Sequence, residues 1–434
     1  MPSGRCRLKK LIAAVTDLAV STAQADTIYV DVDCPDPGNG SEAEPYCSIQ
    51  TAIDNAVDTD EVVVAPGTYF EAINFIGKAI WLHSSDGAKV TTIYAGGAGT
   101  VVTCNTQEGP DTVLEGFTVT GGNANNGGGM YNLFGSSPTV TDCTFTGNSA
   151  GTNGGGIDLD FPGFPTVTGC LFSGNSAKSN GGGMYNSSST NPTVANCTFE
   201  GNLAMNGDAI ALDTNPSFLT MANCVLWNGG DEIWNNNGST VTVVYSDIQG
   251  GWPGIENIDA DPMFVDPING DYRLSPNSPC IDAGDNIAVP KFVLRDLDGN
   301  PRFVADVCAG DSGATVDMGA YEFQGTSCDL SNILAMLASW GSCRDCGKCF
   351  YDFDGDGTVG INDLLILLGN WGVERGASGG ETLIGRPPRG RAVHGESSPA
   401  ILHRWPTVHP CCKQKILGTR TLPWNGLSFH EALS

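Results

Sequence analysis

The stretch "DFDGDGTVGIND" at 352–363 places Asp352, Asp354 and Asp356 at alternate positions, with Gly357 after them and Asp363 at the end. Oxygen ligands at that spacing, a glycine for the sharp turn and a closing carboxylate are what a hard cation needs. The loop is expected to bind Ca2+ through Asp352, Asp354, Asp356 and Asp363, with Thr358 offering its carbonyl. The apolar run "LLILLGNWG" follows and reads as a helix. Five matching positions before a helix favour calcium over a plain polar turn. A second group of carboxylates, Asp158, Asp160 and Asp213, lies in the middle of the chain. Its chemistry depends on the elements that carry it.

Those elements repeat. Cys143, Cys170, Cys197 and Cys224 are spaced by 27 residues, and Phe145, Phe172, Phe199 and Leu226 keep the same step. So do Asn148, Asn175 and Asn202, the triplets Gly127–Gly129, Gly154–Gly156 and Gly181–Gly183, and the column Val140, Val167, Val194, Met221. A fixed short period means a stacked solenoid, because one repeat cannot bury its apolar side alone. The repeats are rich in Gly, Thr, Val, Phe and Asn, which disfavours helical units. Segments such as "PTVTDCTF" between Gly/Asn/Ser clusters read as short strands and turns. The expected fold is all-β, a stack of parallel coils rising ~4.8 Å each, with interior Cys and Phe columns and an Asn ladder. Val140 and Cys143 break strict alternation, so a bend is expected at Asp142, Gly169, Asn196 and Asn223. From Glu61 to about Asp259 there is room for roughly seven coils, a rod of about 35 Å.

Two of the three carboxylates fall in one column of such a stack. Asp160 and Asp213 would lie two coils apart, near 9–10 Å, a separation compatible with an inverting acid/base pair. Asp158 replaces Tyr131 and Tyr185 of the neighbouring coils. The bland reading is three solvated carboxylates on an acidic turn. His83 is the body's one histidine, and Arg273, Arg295 and Arg302 all lie beyond the repeats. That scarcity weighs against catalysis, so the trio is carried as a candidate rather than an assigned catalytic set. Buried cysteines are expected to pack as small hydrophobes.

Charge and processing signals bound the setting. The chain of 434 residues has a net charge of −27, but the two ends are basic: 9 of the 21 Lys/Arg and 44 of the 48 Asp/Glu fall in 26–374. A body that acidic repels nucleic acid and anionic membranes. Residues 1–25 carry a basic start, the apolar "LIAAVTDLAV" and "AQA", the layout of an export signal. No later segment is long enough to span a bilayer. Export permits disulfides, and Cys34 with Cys47, which bracket a Gly/Pro/Asn-rich loop, form the best pair. Cys328, Cys343, Cys346 and Cys349 are expected to form disulfides rather than a zinc site. Residues 374–434, basic and without repeat or alternation, read as a disordered tail.

The "GGGM", "GGGI" and "GGGM" steps at 127, 154 and 181, with Phe145-Asn148, Phe172-Asn175 and Phe199-Asn202, resemble the polymorphic outer-membrane-protein repeat. That resemblance implies a right-handed parallel β-helix in a secreted or cell-surface protein and specifies no reaction. "IYVDVD", "IQTAIDNAV" and "EVVVAPGTY" resemble a β-helix opening with an N-terminal capping helix. "SPCIDAGDN", "RDLDGNPR" and "VDMGAYEFQ" resemble the closing segment of secreted β-helix proteins that carry interchangeable anchoring or docking modules. The Asp-rich loop and its helix resemble one half of a dockerin, an EF-hand-like module. "SNILAMLASWG" mirrors "NDLLILLGNWG" without its own Asp run, so cohesin docking is doubtful. In the bound module, Leu364, Leu365 and Leu368 are expected to pack on Ile333, Leu334 and Leu337.

The organisation expected is signal 1–25, β-helix 26–326, dockerin-like calcium module 327–373 and tail 374–434. Two functions fit. One is an exported, non-catalytic β-helix for adhesion or contact with a glycan or cell surface. The other is a polysaccharide hydrolase or lyase of the pectin-lyase-like class.

Overall fold

A computed structural model of the chain describes residues 25–34, 37–236, 238–304, 314–325, 336–337, 340–342 and 358–369. Three long parallel sheets run the length of the body. The first has nine strands, from Thr27–Val30 through Thr139–Thr141 and Thr166–Thr168 to Thr240–Val244. The second has eight, including Thr144–Thr146 and Leu171–Ser173, and the third seven, including Met130–Asn132, Ile157–Leu159 and Met184–Ser187. Each coil visits the sheets in that order, and every step to the next coil is a parallel pairing in register: Val140 on Val167 and Val194, Phe145 on Phe172 and Phe199. Seven strands in the third sheet match the seven coils expected.

The bend between the first two sheets falls where alternation fails. Asp142, Gly169, Asn196 and Asn223 all have positive φ, at +51°, +64°, +52° and +55°. One residue turned into the left-handed region lets the positions on both sides face inward, and Asn and Asp tolerate that region better than most residues. Inside, Cys143, Cys170, Cys197 and Cys224 are fully buried free thiols packed among aliphatic side chains. Phe145, Phe172 and Phe199 stack with centroids 5.1 and 4.5 Å apart. Burying each such side chain contributes about 1.5–3 kcal/mol.

The asparagine ladder is continuous. Asn148 Nδ2 donates to Asn175 Oδ1 at 3.1 Å, and Asn175 Nδ2 donates to Asn202 Oδ1 at 3.0 Å. Each amide also donates to a buried backbone carbonyl, Val119 O or Phe145 O. Asn228 extends the ladder at a step of 26 rather than 27, because it follows Leu226 by two positions where Asn202 follows Phe199 by three. The glycine triplets have a steric cause: a Cβ on Gly155 would stand 2.4 Å from Gly182 O of the next coil.

At the N-terminal end a helix, Ile49–Asn55, buries Ile49, Ala52 and Ile53 against the first coils. Ser48 Oγ accepts from Thr51 N at its start, and Glu71 accepts from the N–H groups of Ile49 and Gln50. Cys34 and Cys47 are disulfide-bonded, with Cα atoms 5.3 Å apart. At the other end the chain forms a short antiparallel pair, Phe264–Asp266 with Asp271–Leu274. It then folds back along the rod. Asp285 N donates to Asn223 Oδ1, Ala320 N donates to Thr198 Oγ1, and Arg302, fully buried, gives Nη1 to Gly319 O.

Candidate functional site

Each third-sheet strand turns back to the first sheet through a short loop, and these loops stack as the coils do. The expected column exists. Leu159 pairs with Asn186, and Ser187 pairs with Asp213, so Asp160, Ser187 and Asp213 follow one another up three coils. Two strand spacings put Asp160 and Asp213 roughly 9–10 Å apart. Asp160 is firmly held: Oδ1 accepts from Ser187 Oγ at 2.7 Å, Ser188 Oγ at 2.8 Å and Phe161 N at 2.9 Å. Asp213 Oδ1 accepts from Thr214 N at 2.7 Å. Both are only partly covered.

Asp158 behaves otherwise, and the solvated reading fails for it. Its strand neighbours Ile157 and Leu159 face the core, so Asp158 points to the outer side of the sheet. Tyr131 and Tyr185 flank it in register, and it is only 1% exposed. Neither carboxylate oxygen has a hydrogen-bond partner among the described residues. Burial pushes its pKa well above the usual carboxylate range, and Asp160 pushes it further. Burial therefore favours the protonated form of Asp158, behind its neighbours and out of reach of a large substrate. The structure brings Asp160 and Asp213 together and shuts Asp158 away.

Sequence reading passed over the side chains that stand out on these loops. Phe134 and Phe161 stack at 5.2 Å with their rings tilted by 36°, and they are 54% and 42% exposed. Their φ values are +55° and +70°, and Ser188, Ser189 and Thr214 on the loops above are also positive. Bulky residues avoid that region, and where one is held there the surrounding structure offsets a cost of order 1–3 kcal/mol. Phe164, also exposed, lies on the same loop as Phe161. The signal in sequence was two phenylalanines 27 apart inside turn segments, hidden by the more regular Cys and Phe columns.

His83 is engaged elsewhere. Its Nε2 lies 3.0 Å from Glu61 Oε1, its ring stacks on Trp81 at 4.1 Å, and Trp81 Nε1 donates to Glu115 at 2.8 Å. This network lies on the first sheet, not beside Asp160.

For the calcium loop, Asp352, Asp354 and Asp356 lie outside the described residues, as do Cys328, Cys343, Cys346, Cys349 and the 374–434 tail. Thr358–Val359 pairs antiparallel with Gly341–Ser342, joining the two expected halves. A helix, Ile361–Gly369, follows, and Gly360 N donates to Asp363 Oδ2 at 2.7 Å. Leu337, Leu365 and Leu368 are exposed. Ile333 and Leu334 fall outside the described residues. Among the described residues no group of three His, Cys, Asp or Glu is arranged to hold a metal. Thr358 and Asp363 alone do not form a site.

Residues 78–248 match the family model described as right handed beta helix region. The rod is a right-handed parallel β-helix. No curated protein matches the chain. Among solved structures, similarity is found to a pectin methylesterase from Aspergillus niger in deglycosylated form, at 14% identity over 54% of this chain and 84% of that one, with a TM-score of 0.35. The pectate lyase Pel9A aligns at 16% identity over 69% and 97%, with a TM-score of 0.30. A pectin methylesterase mutant in complex with a hexasaccharide aligns at 9% over 58% and 99%, with a TM-score of 0.32. These likenesses concern the fold alone. No helix among the described residues is long and apolar enough to cross a membrane.

Proposed function

We propose that this is an exported or cell-surface β-helix protein that binds polysaccharide on the loop column between its third and first sheets. The observation that carries the reading is the exposed Phe134–Phe161 pair, held at positive φ beside the fixed carboxylates Asp160 and Asp213. Sugar rings present an apolar face of C–H groups and a rim of hydroxyls. Aromatic rings with an accessible face suit the first, and carboxylates fixed by neighbouring hydroxyl and backbone N–H donors suit the second. Stacked coils place the next polar loop one strand spacing further along, which fits an extended chain better than a compact ligand. On this reading residues 1–25 direct export, helix Ile49–Asn55 caps the solenoid, and 352–363 binds Ca2+ in a dockerin-like module, with a cohesin partner doubtful.

A second reading, a polysaccharide hydrolase or lyase, is favoured by one observation: Asp158, whose pKa burial raises, lies close to the carboxyl of Asp160. Its enclosure between Tyr131 and Tyr185 opposes that role. Incubating the full chain with neutral and acidic polysaccharides separates the two. Binding without new reducing ends or unsaturated products is expected. Product release abolished by Asp160→Asn or Asp213→Asn overturns the non-catalytic reading.

A further inference from the structure

The outer face of the first sheet carries another periodic surface, beside the loop column. Thr139, Thr166, Thr193, Thr220 and Thr242 pair in register on successive coils. Val140, Val167, Val194, Met221 and Val243, each next in the chain, are buried, so the threonines point outward. Thr193, Thr220 and Thr242 are exposed, while Thr139 gives its hydroxyl to Pro110 O. Two residues before the threonines stand Ser137, Phe164, Asn191, Phe218 and Thr240. Buried Pro165 and Leu219 separate each phenylalanine from its threonine, which puts rings and hydroxyls on one side. Phe164 is 70% exposed and Phe218 62%.

This second column alternates. Ser137 Oγ accepts from Phe164 N at 2.9 Å, and Asn191 Oδ1 accepts from Phe218 N at 2.8 Å. A short polar side chain on one coil anchors the backbone of the aromatic residue on the next. Phe164 and Phe218 therefore stand two coils apart, roughly 9–10 Å. Neither column contains a charged residue, although Asp and Glu outnumber Lys and Arg by 48 to 21 in the chain. A cation meets no carboxylate in these columns, and the acidic body repels an acidic polymer. The face offers two apolar rings and a ladder of hydroxyls, at a spacing set by the coils.

Within the polysaccharide reading above, on which this rests, we propose that the face binds an extended, uncharged ribbon polysaccharide of the cellulose and chitin type. The polymer lies along the rod, with alternate sugar rings on Phe164 and Phe218 and its hydroxyls on the threonine ladder. In such a ribbon each sugar advances by close to one strand spacing and is turned over relative to the last. Every second unit then presents the same face, and every second coil here presents an aromatic ring. The C–H face of a sugar suits the ring, and threonine hydroxyls can both give and accept hydrogen bonds at the sugar's rim. A helical polymer such as starch offers no flat run of that length. Phe161 and Phe164 share a loop, so the face adjoins the Phe134–Phe161 pair while using different rings.

Co-sedimentation of the full chain with microcrystalline cellulose and with chitin tests this, with granular starch as the control. The variants are Phe164→Ala/Phe218→Ala and Phe164→Tyr/Phe218→Tyr. We expect the parent to sediment with at least one ribbon polymer and not with starch. Losing both rings should weaken binding roughly tenfold, and the tyrosine pair should keep it. Both positions are mostly exposed, so the variants should fold, which circular dichroism checks. Cellulose against chitin tells which sugar the face takes. Full binding by the alanine pair, equal binding to starch, or a tyrosine pair no better than the alanine pair would overturn the assignment. Retardation by a dissolved acidic polysaccharide in native gels, without sedimentation on cellulose or chitin, would overturn it and leave the loop reading standing. A parent that binds no polysaccharide in either assay would end both.

Discussion

Replacing Asn175 by alanine should cost far more than its size suggests. The Asn175 side chain accepts from Asn148 N and Asn148 Nδ2 and donates to Phe145 O and Asn202 Oδ1, all in the core. Alanine keeps none of these. Asn148 Nδ2 retains Val119 O, and Asn202 Oδ1 retains the backbone N–H of residue 175. Asn148 N is left buried with no partner, and Phe145 O, a carbonyl of the second-sheet ladder, loses one donor. The orphaned N–H costs about 1–3 kcal/mol and the lost bond to Phe145 O about 1 kcal/mol more, so the expected loss is about 3 kcal/mol. The outer ladder provides the contrast. Asn180 exchanges one side-chain bond each with Asn153 and Asn206, half in water, so Asn180→Ala should cost only about 1 kcal/mol. For a β-helix of about 300 residues that separates the variants by about 3 °C in melting temperature. Thermal melts followed by circular dichroism would measure it. Equal melting temperatures for the two variants would refute the claim that the inner amides, rather than side-chain volume, hold the coils in register.

Deleting residues 154–180 removes one full period and should leave a shorter folded rod, whereas deleting thirteen residues from the same place should unfold it; equal melts would count against nearest-neighbour stacking. Asp158 has a folded pKa above its unfolded value, so its contribution to stability is fully present below the unfolded carboxylate pKa and is lost as pH rises through the folded one. Asp158→Asn should therefore melt higher than the parent at pH 8 and lose that advantage as the pH falls toward 4. Calcium added to the full chain should titrate one site in the 10⁻⁵–10⁻³ M range with a gain in helicity, lost in Asp356→Ala; no calcium-dependent heat would leave "DFDGDG" as a plain turn.

The rod was legible because its columns are covalently periodic. Cys143, Phe145 and Asn148 recur at 27 residues, and parallel stacking converts that period directly into contact. The bend was legible from one failure of alternation, with Asp142, Asn196 and Asn223 tolerating positive φ. Asn228 was missed because the turn after Leu226 lacks one residue, which takes it off the period. Asp158 was misjudged because strand position says which side a residue faces, not that two tyrosines from adjacent coils will enclose it. A cleft over Glu115 and Asp142 is closed by Phe292 and Leu294, some 150 residues further along, and no local pattern carries that contact. Phe134 and Phe161 look like ordinary turn residues until backbone angles reveal the strain.

The central claim is that the stacked loops at Phe134, Phe161, Asp160 and Asp213 bind polysaccharide. Its most direct test is the mobility of the full chain through native gels containing dissolved neutral or acidic polysaccharides, compared with a Phe134→Ala/Phe161→Ala double variant. Retardation of the parent by at least one polysaccharide, abolished in a variant that melts within a few degrees of it, is the result expected. Equal retardation of both proteins would place binding elsewhere on the rod, and a parent that no polysaccharide retards would contradict the claim.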